Sequence, residues 1–171
     1  MVTIRKEQPS DILAVRAINE KAFGQQAEPN IVDAIRTACP QAISLVAEYD
    51  DQLIGHILFS PVVIESEKET VAGMGLAPMS VLPEHQRRGV GGRMVKTGLD
   101  MLRRSACPFV IVLGHPAYYP RFGFTPASGH HIDCQWDGVP DEAFMVLILD
   151  GDRMKGVTGI ARYRNEFNKA V

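Results

Sequence analysis

The stretch Gln86-Arg87-Arg88-Gly89-Val90-Gly91-Gly92 stands between a run of strand character and a run of helical periodicity. A glycine-rich turn from strand to helix lets several backbone N–H groups converge on one anion, while the helix N-terminus adds partial positive charge. Gly89, Gly91 and Gly92 have no Cβ to obstruct that approach, and Arg87 and Arg88 place charge beside it. The stretch reads as a phosphate cradle. The competing reading is a plain solvated connection whose arginines serve solubility, because short glycine motifs recur by chance.

The flanking residues favour the cradle. Upstream, residues 76–83 read as a strand stopped by Pro83, the end of a longer strand from Thr70 to Leu82. Pro78 lies within it and cannot donate to a sheet ladder, so pairing is expected to break nearby. Downstream, Val90 to Arg104 is helical in pattern, with Val95, Leu99, Leu102 and Ala106 at three- and four-residue steps and Gly91 and Gly98 adjoining that face. Gly98 weakens a helix relative to alanine, and close contact between helix and sheet is the reason expected for it. Phe109 to Leu113 forms the next strand, completing a βαβ unit with its crossover helix in place.

After that unit comes Tyr118-Tyr119-Pro120-Arg121-Phe122-Gly123-Phe124. Together these features resemble the GNAT superfamily of acyl-CoA-dependent N-acetyltransferases. That family writes the turn Gln/Arg-x-x-Gly-x-Gly/Ala, matched by Gln86, Gly89 and Gly91, and a later Tyr-x-x-x-Gly-Phe, matched by Tyr119, Gly123 and Phe124. The resemblance covers most of the chain. The compact segment from Gly114 to Phe124, without the asparagine and longer helix of many members, is similar to the bacterial YhbS-like subgroup.

The resemblance implies an α/β (α+β) GNAT acyl-CoA N-acyltransferase fold. Its central twisted mixed sheet has a splayed parallel strand pair and flanking helices. It implies acetyl-CoA as co-substrate, with the pantetheine arm entering where the strand over residues 70–82 splays from its neighbour, completing the sheet by backbone hydrogen bonds. Met79, Ser80 and Val81 would then bind cofactor together with Gln86, Arg87, Arg88, Gly89, Val90, Gly91 and Gly92. The Val81 backbone would pair with pantetheine, and the Met79 N–H would face the thioester carbonyl, where negative charge develops. Tyr119 corresponds to the tyrosine that protonates the departing sulfur, a role suited to a hydroxyl that ordinarily titrates at about 10. One departure stands out. Where histone-type members carry a glutamate base, this chain has Gly75, so the base is left to His115 or to a water relay.

Elsewhere the chain reads as a soluble enzyme. Its 171 residues, 46% of them hydrophobic, suffice for one domain over residues 1–171 with one packed core. A net charge of −2 gives no reason to expect nucleic acid or an anionic membrane as partner. Cys39, Cys107 and Cys134 are odd in number and widely spaced, which speaks against a disulfide framework or zinc and for a reducing cytoplasm. No metal is expected, and His130 beside His131 does not make a site by itself.

Pro9 opens one helix with Ile12, Val15, Ile18 and Ala22 along a face, and a second is expected from near Pro29 until Pro40. Phe23 to Glu28 reads as a flexible link between them. By the resemblance this region covers the acceptor, so Phe23, Gln25, Gln26 and His115 are substrate-contact candidates. Residues 43–49 and 53–64 are expected to pair as a hairpin around Asp50-Asp51-Gln52, and 143–149 to form a late buried strand. The function that follows is transfer of acetyl from acetyl-CoA to a primary amine of a small molecule, peptide or protein, by direct attack in a ternary complex. A CoA-binding regulatory module with weak turnover is the alternative, and a homodimer is compatible with either.

Overall fold

The computed structural model describes residues 1–169. Strands β1 (Thr3–Lys6), β2 (Ile43–Tyr49) and β3 (Gln52–Glu65) form an antiparallel series, and the helices α1 (Ile12–Phe23) and α2 (Ala27–Ala38) are inserted between the first two strands. The hairpin between β2 and β3 turns at Asp50 and Asp51, with φ of 49° and 60°. Two consecutive positive φ values match the right-handed twist of the flanking strands, and aspartate tolerates them better than most residues. Strand β4 (Thr70–Val81) lies next to β3. It is followed by a 3₁₀ turn at Pro83–His85 and the helix α3 (Val90–Arg104).

The contacts group these elements into two compact units, and β3, β4 and α3 each run from one into the other. The first unit holds residues 1–60, 77–100 and the C-terminal segment from Asn165. Its core is built from Val15 and Ile18 of α1, Ile31 and Ile35 of α2, Leu45, Ile57 and Phe59 of the strands, and Met94, Val95 and Leu99 of α3. A Cβ at Gly98 would lie 2.2 Å from the Phe59 ring, so the expected close approach of helix to sheet is present and requires glycine.

The second unit holds residues 61–76 and 101–164. Here β4 pairs in parallel with β5 (Phe109–Leu113) over Met74, Gly75 and Leu76, before the Pro78 interruption. Antiparallel to β5 runs β8 (Phe144–Ile148), which also pairs with the short β6 (Thr125–Pro126). Strand β7 (Ile132–Cys134) pairs with β9 (Gly159–Arg162), and β9 adds antiparallel to residues 63–65 of β3. A short helix α4 (Gly151–Met154) precedes β9, its N-terminus capped by the Asp150 carboxylate, which accepts the Arg153 N–H. The sheet is therefore mixed, with parallel and antiparallel ladders, as the GNAT resemblance implies.

Several local expectations are corrected. The link expected over Phe23–Glu28 is shorter, residues 24–26: α1 continues through Phe23, and α2 begins at Ala27 rather than Pro29. Proline is tolerated in a first helical turn because its missing N–H would have no intrahelical acceptor there. Ala106 is exposed and lies beyond the end of α3 at φ 59°, so the apolar stripe ends at Leu102. Proline within a strand reads as a strand end or a bulge, but Pro61 sits inside β3, and the register shift of that hairpin falls at Ala47/Glu48 of β2. The C-terminal part of the chain contains three short strands that were not expected, β6, β7 and β9, which lack the alternating pattern that would announce them.

Candidate active site

In the first unit, the strand, turn and helix around the glycine motif are laid out in sequence order. Met79 and Val81 are half-buried and Ser80 is buried, the alternation of a strand with one face on a core. Gln86 turns back so that its Nε2 donates to the Val81 carbonyl at 2.9 Å. The motif glutamine thus ties the turn to the end of the strand. Arg87 and Gly89 both take left-handed backbone conformations, at φ 62° and 80°. No atom lies within 4 Å of where a Gly89 Cβ would sit, so glycine serves that position through its backbone freedom.

Helix α3 starts at Val90, and the Arg93 N–H donates to the Gly89 carbonyl at 3.1 Å. The amides of Val90, Gly91 and Gly92, in the first turn, precede the first intrahelical donor and so have no acceptor within the helix. Three such amides at the positive end of a 15-residue helix, flanked by the exposed Arg87 and Arg88, make a fitting anion cradle. That arrangement suits the phosphates of a nucleotide cofactor.

Behind the strand, and unanticipated from the sequence, runs a buried chain of polar side chains. Ser80 Oγ is 3.0 Å from Asn19 Oδ1, Asn19 Nδ2 is 3.1 Å from His56 Nδ1, and His56 Nε2 is 2.8 Å from Ser44 Oγ. Ser44 in turn donates to a Glu7 carboxylate oxygen. The other Glu7 oxygen accepts from Arg36 at 2.5 and 2.9 Å. Asn19 and His56 are fully buried, and Ser80 is 3% exposed.

Asn19 Nδ2 also lies 3.0 Å from the Val15 carbonyl, which can only accept, and this fixes the orientation of the amide. His56 Nδ1 must then accept from Asn19, so the ring proton is on Nε2 and is donated to Ser44. Burial, with the Arg36 charge nearby, pulls the His56 pKa down to about 3 and keeps the ring neutral. One signal of this chain was legible: His56 interrupts the apolar run of residues 53–59, and Asn19 sits beside Ile18 on the buried side of α1.

The second unit carries Tyr119. It begins a 3₁₀ turn, Tyr119–Phe122, which closes on Gly123 at φ 99° with the Gly123 N–H donated to the Pro120 carbonyl. The chain reverses there and buries Phe124 against Tyr119, ring centroids 5.7 Å apart and nearly perpendicular. The Tyr-x-x-x-Gly-Phe spacing is thus a folding unit: one turn, one left-handed stop and one aromatic contact. Gly114 contributes as well, since a Cβ there would lie 2.3 Å from the Tyr119 ring.

Tyr119 is 7% exposed, and burial, reinforced by neighbouring Tyr118, pushes its hydroxyl well above the usual tyrosine range. Among the described residues that hydroxyl makes no hydrogen bond. It therefore holds its proton at neutral pH, the state that a general acid needs. Tyr118 is half-buried beneath the Arg121 guanidinium, 4.5 Å from its ring centroid, and serves packing. His115 is exposed, and its carbonyl accepts the N–H groups of Tyr118 and Tyr119 at 3.0 and 3.4 Å, so its backbone shapes the turn.

The remaining substrate-contact candidates lie on the α1–α2 connection of the first unit. Phe23 is 38% exposed, while Gln25 donates to Glu28 at 2.8 and 2.9 Å. Gln26 accepts from Arg16 at 2.7 Å. Arg16 also reaches Asn30 at 3.0 Å, Asp33 at 2.5 Å and Glu20 at 3.1 Å. One guanidinium thereby holds both helices and the connection together. The Cys107 thiol donates to the Phe109 carbonyl and is pushed up by burial, so nothing activates it as a nucleophile. Among the described residues no group of three or more His, Cys, Asp or Glu could hold a metal ion, and no helix is long and apolar enough to cross a membrane.

Comparison with known proteins agrees with this layout. Residues 3–127 match the family described as Acetyltransferase (GNAT) domain. The chain is 36% identical to the N-acetyltransferase YhbS of Escherichia coli over 167 residues, 97% of this chain and 98% of that protein. It is 42% identical to the Escherichia coli N-acetyltransferase YjhQ over 123 residues, 70% of this chain and 67% of that one. A crystal structure of Escherichia coli YhbS in complex with CoA superposes with a TM-score of 0.91 over 98% of this chain and 92% of that one. A Brucella melitensis GNAT acetyltransferase in complex with acetyl-CoA gives 0.79 at 36% identity, over 98% of both chains. With its mixed sheet, its glycine turn and its Tyr119 turn, the chain belongs to the GNAT family of acetyltransferases.

Proposed function

We propose that this protein transfers an acetyl group from acetyl-CoA to a primary amine of a small molecule, peptide or protein, by direct attack in a ternary complex, with residues 1–171 acting as one catalytic domain in the cytoplasm. The observation that carries the reading is the cradle, in which Arg87 and Gly89 in left-handed conformations lead into the first-turn amides of α3. The relatives solved with CoA and with acetyl-CoA support it.

The cradle residues Gln86 to Gly92 would hold the phosphates, through backbone amides and the two arginines. The β4 backbone at Met79, Ser80 and Val81 would hold the pantetheine arm, with the Met79 N–H donating where oxyanion charge develops. Acetyl-CoA supplies the activated acyl group. Tyr119 keeps its proton until a thiolate forms and then gives it up. The amine loses its own proton to His115 or to water, and Phe23, Gln25 and Gln26 would contact the acceptor. Holding amine and thioester together supplies much of the rate, up to roughly 7–11 kcal/mol in the best intramolecular cases.

A CoA-binding module with weak turnover is favoured by one feature: the family's glutamate position is Gly75, so that base is absent. Thermal unfolding with and without acetyl-CoA tests cofactor binding, since a ligand bound only by the native state at 100 times its Kd raises stability by about 2.7 kcal/mol. Thiol release with a panel of amines then separates enzyme from module. Tyr119→Phe should abolish most turnover while leaving acetyl-CoA affinity intact, and full turnover in that variant would remove Tyr119 as the acid.

A further inference from the structure

The buried chain behind β4 has a direction. Ser80 Oγ–H donates to Asn19, Asn19 Nδ2–H to His56, His56 Nε2–H to Ser44, and Ser44 Oγ–H to Glu7. Every donor points the same way, toward a carboxylate whose charge Arg36 balances from the far side. Five residues from β4, α1, β3, β2 and the segment after β1 take part, so the arrangement is not a local turn or cap.

It is also not a proton wire, because the Asn19 amide cannot take a proton on one atom and release it from the other without leaving its stable form. Its effect is positional. Ser80 lies between the two residues whose backbone would meet the cofactor, and its side chain is tethered on the core side of the strand. A backbone donor aimed at developing charge works only if held within about 0.5 Å of its productive place.

We propose that Glu7, Ser44, His56 and Asn19 are positioning residues that act through Ser80 to fix the β4 backbone at Met79 and Val81 for acetyl-CoA, an inference that rests on the function proposed above. His56 is the joint of the device. As a neutral Nε2–H ring it accepts from Asn19 on one side and donates to Ser44 on the other. A proton added at Nδ1 would set donor against donor at Asn19 and break the tether. The charged groups facing His56 are Glu7, 4.0 Å from Nε2, and Arg36 of α2, which binds that carboxylate. Ser44, Asn19 and Ser80, which face it from β2, α1 and β4, do not titrate.

The test uses the full chain. Ring ¹⁵N chemical shifts of His56 in the protein without cofactor should report the neutral Nε2–H tautomer at pH 7, and a proton on Nδ1 would overturn the directional chain. Ser80→Ala should weaken acetyl-CoA binding about fivefold, the effect of one lost hydrogen bond, and raise KM for acetyl-CoA without changing the His56 signals. Ser80→Thr, which keeps the hydroxyl, should restore affinity. Asn19→Asp, which puts an acceptor against Nδ1, should convert His56 to the Nδ1-protonated form and weaken binding about tenfold. If that variant fails to fold, the Ser80 pair decides the question. Unchanged affinity in Ser80→Ala, with the wild type binding acetyl-CoA, would overturn the positioning role alone. Wild-type protein that does not bind acetyl-CoA would overturn the proposed function and the positioning role with it, while leaving the His56 tautomer as a separate result.

Discussion

Gly114→Ala is the substitution whose outcome bears most directly on Tyr119. The added Cβ would lie 2.3 Å from the edge of the Tyr119 ring and 2.9 Å from the adjacent carbon. Reaching ordinary contact at 3.4 Å moves the ring edge by about 1.1 Å, a shift that disturbs the T-shaped contact with Phe124. Overpacking of this kind costs about 1–3 kcal/mol, which for a chain of this size lowers Tm by about 2–4 °C per kcal/mol. The effect on catalysis should be larger, since misplacing a reacting group by about 1 Å can cost about 100-fold in rate. Acetyl-CoA turnover followed by thiol release, beside differential scanning calorimetry, separates the two effects. We expect kcat to fall about 100-fold with acetyl-CoA affinity retained. A protein with lowered Tm and wild-type kcat would refute the link between the Tyr119 position and chemistry, and one with both unchanged would refute the steric argument itself.

Gly98→Ala sets a gain of about 1 kcal/mol in helix propensity against a Cβ 2.2 Å from the buried Phe59 ring, so urea unfolding should show a net loss of about 1–2 kcal/mol; a gain would refute the close packing. Gly89→Leu forces a branched side chain into φ 80° and should weaken acetyl-CoA binding in calorimetric titration about tenfold, and equal affinity would remove the cradle assignment. Arg5 holds the Asp11 carboxyl below the usual range, so the pair stabilises the native state above the ordinary carboxylate pKa of about 3.9 and ceases to do so as pH falls through the depressed native value. Asp11→Asn should therefore lower Tm by about 2–4 °C at pH 7, with the difference vanishing as pH falls through the depressed native value of Asp11. His56 binds its proton far less readily when folded, so wild-type stability should decline as pH drops from about 6.5 toward 3; in His56→Gln that part of the slope should be missing.

How much of this the sequence disclosed depended on whether a feature was local. The cradle was legible because glycine spacing, a preceding proline and a following helical stripe all sit within about twenty residues of Gln86. Gly98 was legible for a similar reason: a glycine costing helix stability on an otherwise good stripe needs a neighbour that forbids a side chain, although nothing in the sequence names that neighbour as Phe59. The Tyr119 turn could be matched to a family pattern, but its physical basis, a left-handed stop at Gly123 followed by an aromatic contact, appears only in the backbone dihedrals. The polar chain was hidden because its five members are spread from position 7 to position 80, and only His56, inside an apolar run, stands out by itself. The strands of the tail escaped notice because two to four residues are too few for alternation to show.

The Arg16 clasp has a consequence for how this protein could change its acceptor. The α1–α2 connection takes its shape from a guanidinium seated on α1, whose contacts with Glu20, Gln26, Asn30 and Asp33 all fall at 3.1 Å or closer. The carboxylate contacts, about a third exposed, weaken with salt, while the hydrogen bonds to the neutral Gln26 and Asn30 amides depend on it less. The loop is therefore tethered, and replacing Arg16 would loosen it without altering Phe23, Gln25 or Gln26, the residues proposed to touch the acceptor. With the acceptor contacts proposed above, selectivity would be adjustable by a single change on α1 that leaves β4 and the glycine turn as they are.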